Sequence, residues 1–235
     1  MQGTPVDITH ELERDGAAVV RGVFTPAWVE LLKRGIESNI AAPSPLFRKL
    51  STDDGGFVSD MWSRRYIPEF AEFCASSPAA QLASQALRSP SVRLAQDVWF
   101  LKRPGTSERT PWHHDTVIDG PFCSIWVALD PTPREATLEF VRGSHAWGQA
   151  MMPKSFFDTA DSGDGTAQFY KEFHDGDGAS KHAKFAEIPD IEAARDDFDI
   201  IGWALEPGDC VVFDARTIHG APGNDLSHSI GRFVT

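Results

Sequence analysis

Three cysteines are too few and too scattered to form a framework. Cys74, Cys123 and Cys210 lie far apart, and no Cys-x-x-Cys is present. An odd, dispersed set argues against structural disulfides and fits a reducing, cytoplasmic setting. Long apolar runs are missing too. No stretch approaches the ~18–20 residues that a membrane-crossing helix needs, so no membrane partner is expected. Met1-Gln2-Gly3-Thr4-Pro5 has neither a basic patch nor an apolar run, so no secretory leader is expected. Basic residues are in deficit, 22 against 34 acidic ones, for a formal net charge of −12. A surface that neutralises nucleic-acid phosphates is normally basic, so no nucleic-acid partner is expected either. Repeats and low-complexity tracts are absent.

What is present is an ordinary globular composition. Hydrophobic residues make up 41% and charged residues 24% of the 235 positions, which excludes wholesale disorder. One domain over 1–235 is expected. Near the N-terminus, Asp15-Gly16 is a turn pair before the short strand Ala17–Val20. Thr25-Pro26 starts a helix with Trp28, Leu31, Leu32 and Ile36 at helical spacing. Ser77-Pro78 starts another, with Leu82, Ala83, Ala86 and Leu87 on its apolar face. From Ser91 onward, short Val/Ile/Phe/Trp runs alternate with Pro/Gly turns. Strands are expected near Arg93–Lys102, Thr110–Thr116, Phe122–Leu129, Thr137–Val141, Ile201–Leu205, Asp209–Asp214 and Ser229–Val234. The class is therefore mainly β with flanking helices, a sandwich or closed barrel. The helices of about 1–90 should buttress one face.

Between about 147 and 199 the chain is polar and weakly periodic, either a lid-like insert or a surface excursion. Its Asp/Gly clusters lack EF-hand spacing, since Ala179 falls where a ligand should be and no glutamate closes the loop. Lys171, Lys181, His182 and Lys184 there, with Arg64-Arg65 earlier, read either as anion contacts or as a solvated face.

The chemistry centres on Pro111-Trp112-His113-His114-Asp115. On a strand, residues two apart share a side, so His113 and Asp115 converge while His114 points away. A third ligand would complete a two-histidine, one-carboxylate site with open positions, suited to non-haem Fe(II). His219, in Thr217–Asn224 after the strand Cys210–Asp214, is the best candidate. Arg232, thirteen residues further on the last apolar strand, would need an anion if it points inward. Gln96, Val98, Phe100 and Lys102 share one face by the same parity. Taken singly, each feature also has a bland structural explanation. Two other classes stay open: a zinc hydrolase on the same His/Asp/His set, and a non-catalytic jelly-roll binding module.

Ordered pieces along the chain resemble the phytanoyl-CoA dioxygenase family of Fe(II)/2-oxoglutarate oxygenases. They are residues 16–36, Lys102-Arg103-Pro104-Gly105 with Trp112–Asp115, Trp126–Asp130, Leu138–His145, Glu206–Asn224 and Arg232. The resemblance implies a double-stranded β-helix, the jelly-roll or cupin-like barrel. It implies iron on His113, Asp115 and His219, with 2-oxoglutarate and O2 as cosubstrates. Arg232 would hold the distal carboxylate of 2-oxoglutarate, with Lys102, Gln96 and Trp126 lining the cosubstrate or substrate pocket. It further implies hydroxylation of a small molecule at an unactivated C–H, with release of succinate and CO2. Halogenating relatives carry a small residue where this chain has Asp115. One departure concerns Ala221, where relatives often carry a serine beside the arginine.

Overall fold

The computed structural model describes residues 7–51, 56–115, 121–151 and 185–235. Its helices are α1 (Thr9–Asp15), α2 (Pro26–Ala41), α3 (Pro68–Ser76) and α4 (Ala79–Ala86). Its strands are β1 (Ala17–Val20), β2 (Arg48–Lys49), β3 (Phe57–Met61), β4 (Val98–Lys102), β5 (Thr110–His113), β6 (Cys123–Ala128), β7 (Glu139–Val141), β8 (Ala150–Met151), β9 (Phe185–Ala186), β10 (Ile200–Ile201), β11 (Cys210–Asp214), β12 (His219–Ala221) and β13 (Ile230–Val234). The large sheet runs β1-β11-β6-β13-β4-β3-β2 and the small one β10-β7-β12-β5. Every pairing in these two sheets is antiparallel. Strands remote in sequence lie side by side, as a double-stranded β-helix requires.

Local chemistry starts and stops the elements. Gly16 ends α1 with φ +81° and returns its N–H to the Leu12 carbonyl at 3.0 Å. A Cβ there would lie 2.5 Å from His145 Nδ1 and from Thr217 Oγ1, so only glycine fits the turn into β1. Proline opens both α2 and α3, where its fixed φ suits the first turn.

Strand parity then separates two environments. Val58, Trp99, Ile125, Val127, Val212 and Phe233 face outward and join Leu32, Phe70 and Phe73 of the helices in one apolar cluster. Phe70 and Phe73 pack on Phe233 with ring centroids 4.9 and 5.3 Å apart. The inward residues form rungs across β3, β4, β13 and β6. Met61, Val98, Val234 and Trp126 make one rung, and Ser59, Phe100, Arg232 and Ala128 the next. Phe57, Lys102 and Ile230 make the last.

Several expectations need correction. The first ninety residues hold more strand than the expected Ala17–Val20, which is β1, because β2 and β3 also join the large sheet. The strand expected from Arg93 begins only at Val98. Asp97 turns its carbonyl and carboxylate to the backbone N–H groups of Trp62 and Arg64 instead of to a ladder. The strand expected to reach Leu205 stops at Ile201. Gly202 lies so close to the Leu138 carbonyl that a Cβ would sit 2.6 Å from it. Most of the expected insert, including Lys171, Lys181, His182 and Lys184, lies outside the described residues. Its described end packs Ile188 and Ile191 against Trp112 on the outside of the small sheet. Among the described residues, no helix is long and apolar enough to cross a membrane.

Candidate metal centre

Two backbone pairings bring the donors together. His219 opens β12 directly opposite His113 of β5. Asp115, just past β5, is fixed by its N–H donating to the Ala215 carbonyl at 2.8 Å. His113 Nε2 lies 3.6 Å, and His219 Nε2 3.8 Å, from Asp115 Oδ1. All three ligand atoms fall within 4.8 Å of one another. That is the spacing of donors that can share one cation.

The surroundings set the protonation states. His113 Nδ1 lies 2.8 Å from the Pro111 carbonyl, and His219 Nδ1 lies 3.0 Å from the Thr217 carbonyl. A carbonyl only accepts, so each Nδ1 carries the proton and each Nε2 keeps its lone pair for a metal. Burial, and then repulsion from His219, pushes His113 down to about 3. It is therefore a neutral ligand at physiological pH. The Ser124 hydroxyl donates to Asp115 Oδ2 at 2.9 Å, leaving Oδ1 toward the histidines. Phe213 lies beside the His219 ring, centroids 4.7 Å apart. His114 turns the other way, its Nε2 2.7 Å from the Met151 carbonyl, as strand parity predicts.

A cavity of about 150 Å³ opens from the triad into the barrel. Arg232, Trp126 and Gln96 line it together with the triad. Arg232 is 3% exposed, and one of its NH2 groups donates to the Ala136 carbonyl at 3.0 Å. Its Cζ sits 4.6 Å from the Trp126 ring centroid. Its Nε is buried without a hydrogen-bond partner. Among the described residues no carboxylate pairs with it, and burial pushes it down to about 9. An uncompensated, partly orphaned guanidinium in a cavity is a place for an anion. Lys102 shares the inward face but does not line the cavity. Its ammonium donates to the carbonyls of Glu108 at 3.1 Å and Pro222 at 2.6 Å, and lies over Phe57.

Sequence reasoning missed Ser124, Phe213 and the wall formed by Leu50, Phe57, Ser59 and Met61. The parity of Ser124 with Trp126 on β6 was the available signal for the first.

The family profile of phytanoyl-CoA dioxygenase (PhyH) matches residues 12–229. The chain belongs to the phytanoyl-CoA dioxygenase family. No curated protein matches it by sequence. Among solved structures, this family member is similar to the alpha-ketoglutarate-dependent carbocyclase SnoK from nogalamycin biosynthesis. The two share 14% identity at a TM-score of 0.71, covering 99% of this chain and 83% of SnoK. The epimerase SnoN, crystallised with Fe3+, alpha-ketoglutarate and nogalamycin RO, is similar at 18% identity and TM-score 0.69, covering 97% and 80%. EctD from S. alaskensis, with 2-oxoglutarate and 5-hydroxyectoine, is similar at 19% identity and TM-score 0.66, covering 100% and 76%. Identities this low speak for the fold. Family membership and the convergent His/Asp/His set together make this chain an Fe(II)- and 2-oxoglutarate-dependent enzyme. The residues present fit that pair, with two imidazole Nε2 atoms and a carboxylate clustered within 4.8 Å for the cation and a partly orphaned guanidinium for the anion.

Proposed function

We propose that this phytanoyl-CoA dioxygenase family member hydroxylates an unactivated C–H bond of a small molecule, converting 2-oxoglutarate to succinate and CO2. His113, Asp115 and His219 would hold the iron, and Arg232 the distal carboxylate of 2-oxoglutarate. When bound, the iron supplies O2 activation coupled to decarboxylation of the oxoacid. The protein supplies the rest. Pro111 and Thr217 fix the imidazole tautomers, Ser124 orients Asp115, and Trp126 walls the guanidinium. Val98, Phe100 and Val234 keep the cavity apolar, which excludes water and strengthens every charge interaction inside. Gln96, which lines the same cavity, would face the substrate. Lys102 acts from behind, adding positive charge while tying the loops at 108 and 222 together.

The observation that carries this reading is the coexistence, in one cavity, of three clustered metal donors and a buried guanidinium whose Nε has no hydrogen-bond partner. A zinc hydrolase would need only the first. Asp115 as a carboxylate supports hydroxylation over halogenation. SnoN and SnoK, an epimerase and a carbocyclase, mark other outcomes within the fold. A single domain over 1–235 is part of the proposal, and a cytoplasmic location fits three free cysteines. The test is anaerobic mixing of the protein with Fe(II) and 2-oxoglutarate. A weak visible charge-transfer band should form, and should be lost in His219→Ala and Arg232→Ala. No band in the intact protein would overturn the proposal.

A further inference from the structure

The chain leaves β3 at the metal end of the barrel. Met61 stands in the inward rung nearest the triad and lines the cavity, and Trp62 follows it directly. Trp62 has φ +54° and ψ +23°, in the left-handed region that bulky side chains rarely occupy. Such strain persists only where its surroundings over-determine it, and it clusters at functional sites. Here the surroundings are plain. Trp62 N–H donates to the Asp97 carbonyl at 2.8 Å, and Arg64 N–H donates to Asp97 Oδ2 at 2.9 Å. Arg64 Nε lies 3.2 Å from Asp97 Oδ1. The Ser63 carbonyl accepts from the N–H groups of Tyr66 and Ile67, at 3.0 and 2.8 Å. Asp97 and Ser63 are fully buried. Asp97 also follows Gln96, a cavity residue, so the turn is anchored to the wall of the site.

What this turn presents is an open indole. Trp62 is 39% exposed and the neighbouring Tyr66 54%, while Trp99 on the adjoining strand is 0% exposed. The Arg65 guanidinium carbon lies 5.7 Å from the Trp62 ring centroid, a cation–π contact. Among the described residues no other aromatic ring stacks on Trp62. The cavity itself, about 150 Å³, is smaller than the ~300–1,000 Å³ of pockets that enclose a drug-sized ligand. It must also hold the cosubstrate. A substrate of any size therefore keeps its reacting carbon at the triad and its body outside the cavity, on the side where the exposed Trp62 follows the lining residue Met61.

We propose that Trp62 is a specificity-determining residue whose indole stacks on a flat, uncharged, unsaturated ring of the substrate. This rests on the hydroxylase reading above, because that reading places a substrate at this mouth. Among the described residues, the cavity's charged groups are Asp115 and Arg232, both already assigned. Beside Trp62, Arg64 is paired with Asp97 and Arg65 lies against the indole itself, so stacking carries the recognition of the substrate body.

The test uses the full chain loaded anaerobically with Fe(II) and 2-oxoglutarate, with the charge-transfer band recorded first. 2-Naphthol serves as the flat probe, and trans-2-decalol as a puckered ring of the same skeleton. Binding is followed by saturation-transfer NMR and calorimetry. 2-Naphthol should bind saturably, and the decalol at least about tenfold more weakly. Trp62→Ala should weaken 2-naphthol about tenfold, the loss expected of one aromatic partner, and Trp62→Phe less than about threefold. Both variants should keep the band. Trp62→Gly, which suits the backbone angle, should lose binding without lowering the melting midpoint. Unchanged binding in Trp62→Ala, equal binding of the two probes, or no saturable binding of 2-naphthol would each overturn the proposal. So would a lowered midpoint in Trp62→Gly, which would make Trp62 structural. A missing band with Trp62-dependent binding intact would sink the hydroxylase reading and support the stacking site.

Discussion

The two ends of the barrel cavity are chemical opposites. At the mouth, the Nδ1 protons of His113 and His219 are taken up by carbonyls of their own chain, which leaves lone pairs pointing inward. One rung deeper than Val234, Arg232 offers the reverse, a buried Nε–H without an acceptor. The mouth attracts a cation and the depth attracts an anion. A ligand that chelates a metal through one end and carries a carboxylate at the other satisfies both, and 2-oxoglutarate has that shape. Lys102, one rung deeper again, is the internal control. It is as buried as Arg232, yet its ammonium is satisfied by the Glu108 and Pro222 carbonyls. Burial alone does not make a binding group; an unfilled hydrogen-bonding position does.

The strongest way to break this contrast is to remove the guanidinium while keeping its volume. Arg232→Met should weaken 2-oxoglutarate binding at least about 30-fold, the range for deleting one member of a buried charge pair. Calorimetry on the Fe(II)-loaded protein measures it. The same variant should leave ligand-free stability unchanged or raise it by about 1 kcal/mol, since an uncompensated buried charge disappears. A loss below threefold would mean that the anion is held elsewhere.

Acid sharpens the mouth. His113 is held at about 3 against an ordinary 6.5. Between those values the unfolded chain binds a proton that the folded one refuses, so stability falls as pH falls through that window. At pH 5 the metal-free protein should have lost about 2 kcal/mol relative to pH 8 from this group alone. His113→Asn, neutral throughout, should flatten the slope in urea titrations at the two pH values.

Lys102 should respond with the opposite sign from Arg232. Lys102→Met leaves two buried carbonyls without a donor and should cost about 1 kcal/mol at pH 7. Burial holds the wild-type ammonium well below 10.5. In that window the unfolded chain carries the extra proton, so wild-type stability should rise with pH toward 10.5. The rise should vanish in Lys102→Met.

The legible parts of this site were those governed by strand parity. The choice of His113 over His114 needed only the alternation of a strand, whereas the inward turn of Arg232 is settled by the pairing of its strand with Phe100 and Ala128. The helix starts at Pro26 and after Pro78 followed from proline's fixed φ. What could not be read was set by distant neighbours. β3 is five residues long, and its pairing with β4, not its own pattern, makes Ser59 and Met61 cavity walls. Ser124 matters only because Asp115 happens to lie within reach of its hydroxyl. The angle at Trp62 runs against the preference of its own side chain, and is imposed by Asp97 thirty-five positions later.

The smallest expected effect concerns Ala221. It lies opposite Thr110 in the β12–β5 pairing, and both line the cavity with Arg232. The serine that the family often carries at this position is missing, and Thr110, its partner across the two strands, is a hydroxyl residue that could stand in for it. If that hydroxyl shares the carboxylate with Arg232, Thr110→Val should weaken 2-oxoglutarate a few-fold, the worth of one neutral hydrogen bond at about 0.5–1.5 kcal/mol. Ala221→Ser should recover the loss in the double variant, because the two positions face each other. Ala221 is 1% exposed, so the added hydroxyl must find a partner or weaken the fold. Its gain should therefore appear only with 2-oxoglutarate present, as a larger rise in melting midpoint on adding the oxoacid than the wild type gives. An equal rise in both proteins would show that the anion does not reach these strands and lies wholly on Arg232.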